Sequence, residues 1–224
     1  MLFKDTIEKI NDEIIHCQRC PRLTTWRNEV ARQKRKAFLD WDYWGKPVPG
    51  FGDNQAQVFI LGLAPGAHGS NRTGRMFTGD ASGDFLYPAL NKAGFASQPG
   101  SVHLSDGLRL SNIFISAVCR CAPPGNKPNI DEMKECHPFL EREIHLIKPK
   151  VIVALGRIAY ERILKLFDLR KEQFRFKHGS IHQIGKNLNL VCSYHPSRQN
   201  TQTGRLTSDM FDQIWSDVNN LLIG

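Results

Sequence analysis

Cys17 and Cys20 form a C-x2-C pair followed by Pro21, and Cys121 and Cys136 form a second, wider pair. Two pairs of soft thiolates can complete a four-sulfur site. By ligand count that site suits zinc and an iron–sulfur cluster equally, and thiols without any metal are the third reading. Cys119 and Cys192 fall in or at the end of apolar runs, where a buried, unreactive thiol is the commonest outcome. The N-terminal segment MLFKDTIEKINDEII is amphipathic with interleaved acids, unlike a signal or transit peptide. A disulfide framework is therefore not expected, and the protein is expected in the cytoplasm.

The stretch GLAPGAHGSNRTGRMFTGD holds chemistry of another kind. Its glycines let backbone N–H groups approach a ligand closely, and the helix start beyond it adds partial positive charge. No Gly-Lys-Ser/Thr follows, so this is not a Walker loop, and the glycine spacing is not that of a dinucleotide fingerprint. A nucleotide-phosphate loop of another type stays open. Phe77, among polar neighbours, reads either as a stacking platform for a base or as a core anchor. Asp80 reads either as a helix N-cap or as a carboxylate that holds a water, with Asp84 competing for both roles. Further on, YHPSRQN crowds Pro196, Ser197, Arg198 and Asn200 around His195, with Arg205 adding a cation.

These groups can act together only if the fold brings their loops to one place. Four apolar runs rich in β-branched residues, Val58 to Leu63, Asn112 to Val118, Val151 to Leu155 and Leu188 to Tyr194, read as buried strands. Helical patterns cover about Gly83 to Ala93, Asp131 to Ile147, Arg157 to Leu166 and Ser208 to Leu222. The alternation predicts an α/β fold, a three-layer α/β/α sandwich around a central four-stranded, mainly parallel sheet. Residues 31–52, with a basic RQKRK run and then WDYWGKPVPGFGD, read as an irregular excursion. Ligands of open α/β sheets bind beyond the carboxyl ends of the strands. Gly62 to Asp80, Cys119 to Asn126 and Tyr194 to Asn200 each follow a predicted strand, so one site built from three loops is expected.

Composition bounds the partners. The 224 residues suit a single domain, 1–224, with one sizeable core. Thirty basic against 22 acidic residues give a formal charge of +8, and the pI near 9.3 points to a polyanion such as nucleic acid or, less specifically, a membrane surface. No apolar run is long enough to span a bilayer, so no membrane partner is expected.

Taken in order, GLAPG and GRMFTGD after the first strand, CRCAPPGNKP after the second, VALG opening the helix after the third and YHPSRQN after the fourth give the chain a family likeness. It resembles the family 5 uracil-DNA glycosylases from about Cys17 to the closing helix. The resemblance implies a [4Fe–4S] cluster in place of zinc, with Cys17, Cys20, Cys121 and Cys136 as ligands. It further implies catalytic roles for Asp80, Asn126 and His195. The GLAPG backbone (Gly62, Ala64, Pro65, Gly66) would line a base pocket with Ser70 and Asn71, and Phe77 would stack on the extruded base.

The chemistry follows physically. A glycosylase must first extract its nucleotide, at a cost of a few kcal/mol, and cations must support that step. Arg72, Arg198, Arg205 and the RQKRK run are candidates for phosphate contacts, with Asn200 beside them. Cleavage leaves negative charge on the departing base, so a donor fixed at its oxygens lowers the barrier. His195, neutral, is expected to be that donor; Asn126 offers a donor and an acceptor, and Asp80 orients or deprotonates the attacking water.

Two departures bear on specificity. Leu63 to Gly66 carry no acid or amide where narrower uracil glycosylases handle the water. Ala117 stands where cluster-bearing family 4 enzymes would place the asparagine that reads uracil. Without that amide, discrimination should relax toward hypoxanthine, xanthine, hydroxymethyluracil or ethenocytosine. The expected partner is DNA containing uracil or other deaminated bases, with replication or repair proteins as further partners. The rival readings are a non-catalytic iron–sulfur nucleic-acid-binding module and a zinc-stabilised nucleotide hydrolase.

Overall fold

The computed structural model describes residues 5–223. The four predicted strands form the parallel centre of the sheet: β2 (Val58–Gly62), β3 (Ile113–Ala117), β4 (Val151–Leu155) and β6 (Leu188–Ser193). The sheet nevertheless has six strands, in the order β1-β3-β2-β4-β6-β5. β1 (Phe51–Gly52) runs antiparallel to β3 on one edge, and β5 (Ile181–Gly185) runs antiparallel to β6 on the other. The expected count of four is corrected to six for a physical reason. β1 is two residues long, and β5 alternates between exposed and half-buried positions, so neither carries an apolar run.

Every residue of β2, β3 and β4 is buried, as parallel strands require when helices cover both faces. The side-chain period of two divides the core accordingly. Val58, Ile60, Ile113, Ile115, Val151 and Val153 face α4 (Gly83–Lys92) and α8 (Ser208–Ile223), meeting Leu86, Leu90, Phe211 and Trp215. Phe59, Leu61, Phe114, Ile152 and Ala154 face α5 (Ile130–Ile147) and α6 (Arg157–Leu166), meeting Leu140, Ile144, Tyr160 and Ile163. The three-layer architecture follows.

Two N-terminal helices lie outside these layers and were not among the predicted ones. α1 (Ile7–Ile15) packs Ile10 and Ile14 against Phe139 of α5, and Arg142 holds both Asp5 and Glu13 at its edge. α2 (Pro21–Gln33) starts with Pro21 in the first turn, where its missing N–H costs nothing. Of the 31–52 segment, residues 31–33 close α2 and Phe51–Gly52 form β1; between them the chain is irregular apart from one 3-10 turn at Lys36–Phe38. No helix among the described residues is long and apolar enough to cross a membrane.

A candidate active site at the carboxyl ends of the strands

The loops that leave β2, β3 and β6 converge on a cavity of about 780 Å³. Gly62, Ala64, Gly66, Ser70, Phe77 and Asp80 reach it from the first loop, Asn126 from the second, and His195 and Arg198 from the third. A smaller hollow of about 410 Å³ between α4 and α8 contains none of the predicted site residues.

Phe77 lies on the cavity floor with its backbone at φ +53°, a left-handed value that a side chain adopts only when its surroundings enforce it. Its ring is packed on Gly62, where a Cβ would stand 2.7 Å from the ring edge. The ring therefore needs glycine beneath it. His195 is its aromatic neighbour, ring centroids 6.0 Å apart and planes 32° from parallel. Burial lowers the His195 pKa to about 4, so the imidazole is neutral near pH 7. The Asn200 amide fixes this loop by donating to the His195 carbonyl oxygen at 2.8 Å.

Of the two readings the sequence offers for Asp80, the hydrogen bonds show the one at the helix start. Its Oδ1 accepts from the backbone N–H groups of Ser82 and Gly83, at 3.0 and 3.1 Å, and so caps the start of α4. Its Oδ2 lies in a cradle formed by Gly66 and Gly69, where added Cβ atoms would stand 2.7 and 2.0 Å away. Burial raises its pKa, and the Asp84 charge adds to the rise, against the lowering by its two N–H donors and Arg72. Asn126 is exposed at the cavity mouth in the turn Pro124–Asn126, with φ +57°.

Several predicted residues do not line the cavity. Arg72 is buried, donating to the carbonyls of His68 and Gly79, with its guanidinium 3.9 Å from the ring centroids of both Phe38 and Trp41. It is a strut beneath the wall and not a free phosphate contact. Asn71 is fully buried and donates to the Arg27 and Ala67 carbonyls, so its amide is structural as well. Pro65 lies behind the lining, Asn200 holds the His195 loop, and Arg205 projects over the Tyr194 ring outside the cavity, 4.7 Å from its centroid.

The sequence reading missed His68, Lys127 and Phe38 on the rim, and of the RQKRK run only Arg35 borders the cavity. His68 sits inside the glycine-rich loop already singled out, and its Nδ1 pairs with the Tyr43 hydroxyl at 2.9 Å. That partner lies 25 residues away, so only the fold reveals it.

Cys17 follows α1, Cys20 precedes α2, Cys121 follows β3 and Cys136 lies within α5. Their thiols are neighbours: burial and then the charges of Cys136, Cys121 and Cys17 push the Cys20 pKa up to about 12. Four thiolates so placed repel one another unless a cationic centre lies between them. Arg27, 5% exposed, donates from Nη1 to the Cys121 sulfur at 2.9 Å. Burial pushes the Cys121 pKa up to about 11 against the lowering by Arg27, so this sulfur suits a thiolate ligand when a cationic centre is bound beside it. The donor set therefore fits a four-thiolate centre, although no three His, Cys, Asp or Glu side chains among the described residues are arranged for a single metal ion. Cys119 and Cys192 are buried in the core between the sheet and α5 and α6, Cys119 beside Cys136.

Residues 49–219 match the profile of the uracil DNA glycosylase superfamily. The chain is 52% identical over 206 residues to a type-5 uracil-DNA glycosylase of Thermus thermophilus, covering 92% of this chain and 93% of that one. It is 50% identical over 221 residues to a type-5 uracil-DNA glycosylase of Mycobacterium leprae, covering 96% of each. A type-4 uracil-DNA glycosylase of Pyrobaculum aerophilum is similar at 30% identity over 195 residues, covering 85% of this chain and 83% of that one.

Proposed function

The chain belongs to the uracil DNA glycosylase superfamily, and from that premise we propose that it hydrolyses the N-glycosidic bond of uracil in DNA, leaving an abasic site, with residues 1–224 acting as one glycosylase domain. The observation that carries the mechanism is the meeting of Phe77, Asp80, Asn126 and His195, from three separate loops, around one cavity.

In this reading the extruded base stacks on Phe77 and presents an oxygen to His195. A neutral imidazole donates its N–H to the negative charge that develops there as the bond breaks. Asp80 keeps one oxygen on the start of α4, which fixes its direction, and orients the attacking water with the other. Asn126 offers donor and acceptor at the mouth. Arg35, Lys127 and Arg198 on the rim supply phosphate contacts that hold the strand while the nucleotide is out of the stack.

Cys17, Cys20, Cys121 and Cys136 would hold a [4Fe–4S] cluster, which when bound would crosslink the N-terminal segment to the loop after β3 and to α5. Ala117 brings only a methyl group to the cavity wall, so no side-chain amide there demands uracil's particular pattern of donors and acceptors. Hypoxanthine and other deaminated bases are further substrates on this reading.

Purified protein incubated with duplexes carrying one defined lesion, followed by alkali, tests the proposal. Strand cleavage at uracil that is lost in Asp80→Ala and His195→Ala is expected. Binding without cleavage in the wild type would instead indicate a non-catalytic DNA-binding module. Excision of uracil with none of the other deaminated or damaged bases would refute the broad specificity.

A further inference from the structure

Four arginines are buried in this protein: Arg27, Arg72, Arg75 and Arg120. Arg75 faces Asp106, Arg120 faces Glu143, and Arg72 lies between two aromatic faces. Arg27 has none of these. Among the described residues no carboxylate comes within ion-pair range of it. Its side chain donates instead to the Gly45 carbonyl from Nε, at 3.2 Å, and to the Cys121 sulfur from Nη1, at 2.9 Å. A guanidinium does not shed its proton inside a protein, so its burial requires acceptors or electron-rich faces around it. The sulfur of Cys121 and the Gly45 carbonyl are the acceptors Arg27 finds.

The same residue is wired to the cavity wall. The Arg27 carbonyl accepts from the Asn71 amide at 3.2 Å. Gly45, held by the guanidinium, donates its N–H to the Asn71 carbonyl at 3.0 Å, and the neighbouring Trp44 N–H donates to the Arg72 carbonyl at 2.9 Å. Asn71 and Arg72 belong to α3 (Ser70–Thr73), which begins directly after the glycine that cradles Asp80.

We propose that Arg27 is a positioning residue that couples the four-cysteine centre to the base cavity: the Cys121 sulfur anchors its guanidinium, and the guanidinium and carbonyl of Arg27 together hold the wall that seats Asp80. This rests on the reading of the cysteines as cluster ligands. Loss of the Arg27–Cys121 contact frees the guanidinium and loosens the 66–73 wall, so catalysis falls although the thiols do not line the cavity. Reciprocally, a cation donating to a ligand sulfur draws the cluster's reduction potential upward.

The test compares iron-replete wild-type protein with Arg27→Met and Arg27→Lys, measuring iron and sulfide content, the cluster's reduction potential, amide hydrogen exchange in residues 66–73 and kcat on a uracil-containing duplex. Arg27→Met should shift the potential to more negative values, speed exchange in 66–73 at least about tenfold and lower kcat. Lysine keeps the charge but not the two-armed fork, so Arg27→Lys should restore most of the potential while 66–73 still exchanges fast. Should Arg27→Met not retain its cluster, Arg27→Lys alone decides: exchange equal to wild type overturns the coupling. A cluster-bearing Arg27→Met with wild-type potential and exchange overturns it too. Wild-type protein without iron and sulfide would remove the cluster reading itself, and the coupling with it.

Discussion

At the scale of single residues, two buried titratable groups set the pH response in opposite ways. His195 is pushed down to about 4, whereas Asp80 is held above its ordinary carboxylate value, in both cases chiefly by burial. As pH falls, Asp80 is therefore protonated above the usual carboxylate range. The acid limb of kcat should follow that step and flatten in Asp80→Asn, whose residual rate should be roughly 10²–10⁴-fold lower. His195→Ala should cost about 10²–10³-fold in kcat, the usual effect of deleting one charge-stabilising donor. Linkage gives a second observable. The unfolded chain takes up a proton at this histidine near pH 6.5 and the folded chain only near 4, so stability falls as pH drops through that window. Urea titrations at intervals between those values should show that dependence in the wild type and a weaker one in His195→Asn.

At the scale of elements, the glycine-rich loop works through what its small residues leave room for. Gly69→Ala would drive a Cβ into the Asp80 carboxylate, at 2.0 Å from Oδ2, so the variant should mimic Asp80→Asn in kcat while a thermal melt shows a folded protein. Helix α5 illustrates support at a distance. Asn129 accepts from the Glu132 N–H and Glu132 accepts from the Asn129 N–H, a reciprocal cap on the helix that carries Cys136. Glu132 also holds Arg22 of α2 through two bonds of 2.7 Å. Asn129→Ala should cost about 1 kcal/mol in chemical denaturation, with larger losses if the Arg22 link slackens. The helices whose apolar faces meet the sheet could be read from periodicity. α2 could not, because its sequence is mostly polar and its buried Arg27 breaks the apolar pattern.

At the scale of the whole molecule, only part of the formal charge of +8 is available at the surface. Arg75 and Arg120 cancel against Asp106 and Glu143, Arg27 and Arg72 are buried without a carboxylate in ion-pair range among the described residues, and a [4Fe–4S] centre with four thiolates would subtract about two further charges. DNA affinity should therefore depend on a few rim cations. Arg198→Ala, at the cavity edge, should weaken binding and reduce the slope of log K against log salt by about 0.9, whereas Arg72→Met should leave that slope unchanged. Equilibrium binding across a salt series measures both.

The sequence by itself determined the parallel centre of the sheet and the end of it at which the cavity lies, because apolar runs and the loops following them are local patterns; Asp80, Phe77 and His195 stand out through the family resemblance, and all three line the cavity. Arg72 and Asn71 had the right composition and the wrong surroundings: adjacency in sequence to Ser70 does not say which side of a short helix faces the cavity. Likewise the +8 charge is legible as a sum, but which cations remain free is decided by partners far away in the chain, as with Arg120 and Glu143, 23 residues apart, or Arg75 and Asp106, 31 apart. Only the tertiary structure could join Cys121 to Arg27 across 94 residues, and through Arg27 to the wall of the cavity, since burial and hydrogen-bond geometry exist only once the chain is folded.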